Sequence, residues 1–437
     1  MTPRNGSDGF GDTPGFSDYL AVEWKPALGC TEPASIALAA ANAASLSSGE
    51  PRSAHLVCDA RIYKNCYAVG IPHSDGRTGI LWSLAIGCFL TDLDAGLECF
   101  RGITPEILEK AGSLVRSGGV TVEVDPAREG LFVGCLVTGA AGSGGRAVIE
   151  GGHTRIVRLE RDGVPVLEEG GDGSVDAPEK SLRRRLAGLT FHEMITLARS
   201  LGPEDAAALR KGVDLNLAIA RHGLGLFPRS FVGLAGEDPL TRLSRLVLAG
   251  VHARMSGEDF VVMSLAGSGN KGITCSVPLA LWGEEKGYPS QRVDQALALA
   301  CLVTSATTHH LGTLSAVCGC SNAAGIGLAA GLVFLEGGDA EVVSMAMNNM
   351  VGNVAGMICD GAKIGCALKT MTSVDAAFRS ASLAHNGICI PFTDGIIGKD
   401  GARSLRNLGR IATTGMTAMD DEILAIMQEK LHRLEND

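Results

Sequence analysis

The chain has 437 residues, 46% of them hydrophobic and 20% charged, with a formal net charge of −10. Length and apolar content support one large or two smaller cores and exclude global disorder. The acidic balance argues against nucleic acid or an anionic membrane as partner. With 4% aromatics and 58 glycines, close helix packing and backbone-lined sites are favoured over aromatic cages.

The 13 cysteines are spread along the chain, unlike a small secreted disulfide framework. The opening M-T-P-R-N-G-S-D-G has no apolar signal core, and the apolar runs at 295–306 and 323–335 are too short or too Gly-interrupted to span a bilayer. These features predict a cytoplasmic protein with free thiols that binds a small molecule, with a homo-oligomer as the candidate assembly.

Residues 1–15, rich in Gly, Pro, Ser and Asp, read as a disordered N-terminus. A helical segment over 16–50 follows, packing on the catalytic domain. It is broken by K-P-A-L-G-C-T-E-P at 25–33 and resumes as an Ala-rich helix. Thr31 is the expected cap, with Pro33 in the first turn. Cys30 then lies just ahead of a helix N-terminus, where the dipole lowers a thiol's pKa. A buried turn cysteine is the alternative.

Residues 51–175 read as an α+β domain. A-H-L-V-C-D-A-R-I-Y and N-C-Y-A-V-G-I-P are expected strands, with Lys64-Asn65 in the turn between them. V-T-V-E-V, L-F-V-G-C-L-V, R-A-V-I-E, T-R-I-V-R-L and V-P-V-L are further strands, with helices over 78–90 and 105–117. The loop P-H-S-D-G-R-T-G at 72–79 places His73 and Ser74 where a general base or an anion site suits; a solvated histidine is the alternative. A Gly/Asp-rich linker at 169–176 closes the domain.

From 178 to 437 the pattern is helical. Within it S-L-A-G-S-G-N-K-G-I-T-C-S-V-P at 264–278 reads as a Gly/Ser loop, whose Ser268, Gly269, Asn270 and Lys271 offer donors to a substrate carboxylate or a phosphate. The expected fold is α+β: a large all-helical catalytic domain, including the N-terminal helix, with an inserted α+β domain.

The chemically richest stretch is 318–369, C-G-C-S-N-A-A-G followed by M-I-C-D-G-A-K-I-G-C-A-L-K. Structural zinc usually takes two C-x₂₋₄-C pairs, and neither pair here has that spacing. An iron–sulfur cluster accepts more varied spacing. Buried unliganded cysteines are the third reading.

P-A-L-G-C-T-E-P at 26–33, S-G-N-K-G-I at 268–273, L-S-A-V-C-G-C-S-N-A-A-G at 314–325 and G-M-I-C-D-G-A-K-I-G-C-A-L-K at 356–369 resemble the L-cysteine desulfidase family. That family is related to the iron–sulfur L-serine dehydratase alpha chain, and the resemblance runs from about residue 15 to about residue 430. It implies a [4Fe–4S] cluster held by Cys320, Cys359 and Cys366, with one iron open to substrate and Cys30 as proton acceptor. Cys318 falls where the serine dehydratases have a small residue and is left out of the ligand set. The implied reaction is β-elimination of L-cysteine to pyruvate, ammonia and sulfide.

The His-Ser pair at 73–74 departs from the desulfidase pattern and is similar to the serine dehydratases, whose base is a loop histidine. The alternative is therefore a dehydratase of L-serine, or of another β-substituted amino acid, with His73 as base. Pyridoxal phosphate on Lys271 or Lys363 has no recognisable phosphate cup or pyridinium partner. A non-catalytic metal- or ligand-binding protein is the reading from another class.

Overall fold

The computed structural model describes residues 15–128, 130–168, 177–228 and 238–434; the segment 1–14 and the linker at 169–176 lie outside the described residues. The chain opens with α1 (Phe16–Glu23), a short strand β1 (Trp24–Leu28) and α2 (Thr31–Leu46). Next come β2 (Pro51–Cys58), α3 (Ala60–Cys66), α4 (Ile80–Gly87) and α5 (Pro105–Arg116). The strands β3 (Val120–Val124), β4 (Phe132–Gly139), β5 (Gly144–Glu150), β6 (Ile156–Arg161) and β7 (Val164–Glu168) complete this part. One six-stranded sheet results, in the order β3-β2-β4-β5-β6-β7. Only β2–β3 is parallel.

The strand expected at N-C-Y-A-V-G-I-P does not form, and Lys64 and Asn65 lie inside helix α3 instead of in a turn. The cause is Asp59. Its carboxylate accepts from the N–H groups of Arg61 and Ile62, capping a helix directly after β2, and also takes the Phe132 N–H.

The expected 16–50 segment divides near Cys30. Phe16, Tyr19, Leu20 and Trp24 join the helical core. By contrast Ile36, Leu38 and Ala43 of α2 pack with Leu56, Val137, Ala147 and Ile149 of the sheet. A Cβ on Gly145 would lie 2.0 Å from the Ala43 carbonyl, so this approach needs glycine on the strand.

The second part contains α6 (Pro178–Gly188), α7 (Phe191–Arg199), α8 (Pro203–Leu224), α9 (Pro239–Ser256), β8 (Val261–Leu265) and α10 (Gly269–Glu285). It continues through α11 (Ser290–Leu311), α12 (Gly319–Leu335), α13 (Ala340–Val354), α14 (Cys366–His385), α15 (Gly401–Arg410) and α16 (Thr417–Leu434). The all-helical expectation is broken by β8, which pairs antiparallel with β1 from Trp24↔Leu265 to Leu28↔Val261. That pairing brings the Cys30 turn beside the start of α10.

Helix α12 is the hub. Every residue from Ser321 to Leu335 is buried, the behaviour of a helix apolar on all sides. Its glycines let neighbours close in: a Cβ on Gly327 would stand 2.0 Å from Thr304 Oγ1, and one on Gly325 would stand 2.0 Å from Ser373 Oγ. Among the described residues no helix is long and apolar enough to cross a membrane.

Candidate active site

Four helices begin at one cleft. α2 starts after Cys30, α10 after Ser268, α12 after Cys318 and α14 at Cys366, and no side chain caps any of them. Elsewhere Thr104, Thr190, Asp238, Asp339 and Asp400 cap helices with their side chains, while α1, α4, α6, α8 and α11 also start without such a cap. Uncapped starts direct N–H groups and positive dipole ends at whatever occupies the space in front of them. The cleft is partly open to solvent, and Cys30, Cys318, Cys320, Cys359 and Cys366 all line it.

Two short segments gather the thiols. Residues 316–318 and 357–359 bridge antiparallel, with Cys318 N–H to Met357 O and Cys359 N–H to Ala316 O both at 2.8 Å. From α3 the buried Lys64 donates to the Cys359 carbonyl at 2.8 Å and pairs with Asp420 of α16, which also accepts from Arg61. Gly361, at φ +97°, lies against the same lysine's carbonyl, where a Cβ would approach to 2.2 Å. The Cys320 Sγ lies 3.5 Å from Ser268 Oγ, and the Cys366 thiol donates to Gly361 O at 3.4 Å.

Burial pushes the Cys359 thiol up, and burial together with Cys318 raises Cys366 to about 12. Contact with Cys320, then burial, raises Cys318. Among the described residues no three His, Cys, Asp or Glu side chains are already gathered around a metal position. The donor set still fits an iron–sulfur group. The candidate ligands are thiols, the soft type such clusters take. Lys64 and Lys369 act on Cys359 to oppose its rise, so positive charge is in place for thiolates.

Cys30, not the expected Thr31, occupies the N-cap position of α2. The Thr31 hydroxyl instead donates to Glu32 Oε2 at 2.9 Å. Cys30 Sγ donates to the same oxygen at 3.0 Å, and Asn65 Nδ2 donates to Oε1 at 3.1 Å. His153 Nε2 stands 3.9 Å from Oε1. Although burial favours its protonation, His153 and the donors from Cys30 and Thr31 hold Glu32 below its ordinary range. Burial and the Glu32 charge push the Cys30 thiol well above its ordinary value. Burial and the neighbouring carboxylate thus work against the expected dipole-lowered thiolate and favour a protonated sulfur beside an ionised Glu32.

The Gly/Ser loop expected at 264–278 is confined to a turn at Ala266–Ser268, with strand before it and helix from Gly269. Ala266 at φ +49° and Gly267 at φ +79° make that turn. Lys271 Nζ donates to Ala266 O at 3.1 Å and Thr308 Oγ1 at 3.2 Å. Burial, then the Arg183 charge, brings its pKa down to about 8. The Asn270 side-chain oxygen is taken by Arg254 NH1 at 2.8 Å.

His73 and Ser74 do not join the residues that line the cleft. His73 Nε2 pairs with Asp259 Oδ1 at 2.8 Å. The Ser74 hydroxyl donates to Ile71 O at 2.7 Å and so ties its own turn. That turn buttresses Cys30 from behind, since a Cβ on Gly29 would lie 2.6 Å from Pro72 Cδ. Sequence reasoning missed Glu32, Arg254, Asn65 and His153. Only Glu32 carried a signal, lying two residues beyond Cys30 in C-T-E-P.

The serine dehydratase alpha chain family matches residues 183–425. A UPF0597 protein of Geobacter sulfurreducens is 37% identical over 424 residues, covering 95% of this chain and 98% of that relative. Its counterpart in Caldanaerobacter subterraneus is 34% identical over 421 residues, with the same 95% and 98% coverage. One from Oleidesulfovibrio alaskensis is 38% identical over 430 residues, covering 95% and 98%. A match across the helical part that builds the thiol cleft, with relatives similar from end to end, places this chain in the serine dehydratase alpha chain family, together with the UPF0597 proteins.

Proposed function

We propose that this protein is a lyase that performs iron–sulfur-dependent β-elimination on L-cysteine, giving pyruvate, ammonia and sulfide. The observation that supports this reading best is the meeting of the 318–366 thiols and the Cys30–Glu32 pair on one cleft. A [4Fe–4S] cluster held by Cys320, Cys359 and Cys366 would keep one iron free of protein ligands and supply Lewis acidity toward the substrate's β-substituent.

The remaining steps fall to the chain itself. Ser268, Gly269, Asn270 and Lys271 form the wall that orients the amino acid. As the Cα proton moves to Cys30 Sγ, the thiol's own proton passes to Glu32 Oε2. Sulfur exchanges one hydrogen for another and never carries a full charge; the carboxylate ends protonated. Cys30 is then the group that touches substrate, and Glu32 is the final acceptor. The aminoacrylate released tautomerises and hydrolyses to pyruvate and ammonia.

The match to serine dehydratase alpha chains favours a second reading, with L-serine as substrate and water as the leaving product. In it His73 would act as base only after leaving Asp259. The test is pyruvate release from L-cysteine and from L-serine by anaerobically reconstituted protein. Faster turnover of cysteine supports the desulfidase reading and faster turnover of serine the dehydratase. No pyruvate from either amino acid overturns both.

A further inference from the structure

We infer that Arg254, seated on Gly269 and steered by Asn270, is the receptor for the α-carboxylate of the amino acid that enters the cleft. This rests on the reading that an amino acid binds there, and it names the group that recognises one end of it.

Arg254 lies at the end of α9, is 2% exposed and lines the cleft. Its NH1 donates to Asn270 Oδ1 at 2.8 Å, while Nε and NH2 have no hydrogen-bond partner among the described residues. Two other buried cations face carboxylates: Arg183 Nε meets Glu23 at 2.7 Å, and Lys64 meets Asp420. Among the described residues, Arg254 hydrogen-bonds only to a neutral amide. A buried guanidinium with idle donors and no counter-charge is unfavourable unless an anion completes it.

The motif around it is built to hold that guanidinium. A Cβ on Gly269 would stand 2.5 Å from Arg254 Nε and 2.8 Å from its Cζ, so the first residue of α10 must be glycine for the side chain to lie there. The fork therefore sits over a helix start that no side chain caps. Planar guanidinium and helix N–H groups are both shaped for a carboxylate. Asn270 Nδ2 points to Met255 Sδ at 3.6 Å, which fixes the amide with its oxygen toward Arg254. An aspartate there would make the same hydrogen bond and cancel the charge. Lys271 is occupied by Ala266 O and Thr308 Oγ1. Cys30 lines the same cleft as Arg254, so a carboxylate bound by Arg254 shares that cleft with the proposed base.

The experiment uses anaerobically reconstituted protein with L-alanine, which has no β leaving group, and L-alaninamide, which lacks the carboxylate. Binding is measured by calorimetric titration for wild type, Asn270→Asp and Arg254→Lys. Wild type is expected to bind L-alanine at least ~10-fold more tightly than the amide, as suits a charge-assisted bidentate contact. Asn270→Asp keeps size and hydrogen bonding, and is expected to lose ~10-fold or more in L-alanine affinity with the amide unaffected. Arg254→Lys should do the same. Equal affinity for acid and amide in wild type, no L-alanine binding, or undiminished L-alanine binding in Asn270→Asp each overturns the assignment. If alanine discrimination depends on Arg254 but no amino acid yields pyruvate, the carboxylate site stands and the β-elimination reading falls. If pyruvate forms with an unchanged KM in both variants, elimination stands and the site falls.

Discussion

Glu32→Gln keeps the volume of the side chain and removes its charge. The native carboxylate is 7% exposed and accepts from Cys30 at 3.0 Å, Thr31 at 2.9 Å and Asn65 at 3.1 Å. Burial opposes ionisation, but His153 and the Cys30 and Thr31 donors hold its pKa below the ordinary 4.5, so it is charged at neutral pH. A glutamine keeps an oxygen for Asn65 but sets an NH₂ against two other donors, and it accepts no proton. Losing a positioned proton acceptor lowers kcat/KM by ~10²–10⁴. At about 1.36 kcal/mol per decade that is roughly 2.7–5.4 kcal/mol of transition-state stabilisation. The assay is anaerobic pyruvate release, read beside washout of an α-deuterium into solvent. A Glu32→Gln protein with its full iron content and kcat/KM within about 3-fold of wild type, far short of the loss a missing base brings, would refute the role given to Glu32.

The pH profile follows from the same pair. Cys30 is held well above 9.0 and Glu32 below 4.5, so neither ionises between about pH 5 and 8, and the wild-type kcat/KM profile should show no limb there that vanishes in Cys30→Ser. Such a limb near neutrality would contradict the protonated resting thiol. In stability, a depressed carboxylate contributes fully above its unfolded pKa and loses that contribution as pH falls through the lower folded value. Glu32→Gln should therefore flatten the acid side of the urea-stability profile below about pH 4.5, and an unchanged slope would count against the depression. Asp420→Asn strips the counter-charge from Lys64, whose side chain is 1% exposed, and should destabilise by roughly 3–5 kcal/mol in urea unfolding while loosening the hold on Cys359. An unchanged unfolding midpoint would contradict that.

The sheet strands β3 to β7 were legible because their alternation is interrupted by Gly turns that the structure keeps. Residues 60–66 were misread because the decisive group, Asp59, acts by capping, and its third contact is Phe132 on a distant strand. The β1–β8 ladder was invisible for a related reason. Five residues such as Trp24–Leu28 carry little periodic signal, and their partners lie at 261–265. At the site, the thiol motifs and the S-G-N-K-G turn were visible as sequence. The charge state of Cys30 was not, because it depends on burial and on Glu32, itself held by Asn65 and His153, both distant in sequence. Arg254 sits in an ordinary helical stretch, H-A-R-M-S, and only its seat on Gly269 marks it.

Whether Cys320, Cys359 and Cys366 hold an iron–sulfur cluster is tested most directly by iron and acid-labile sulfide analysis of anaerobically reconstituted protein. Wild type and Cys318→Ala should each carry about four iron atoms per chain, as a cubane requires, and Cys320→Ala, Cys359→Ala and Cys366→Ala should each lose them. Wild-type protein without iron, or full iron in any of those three variants, would contradict the assignment.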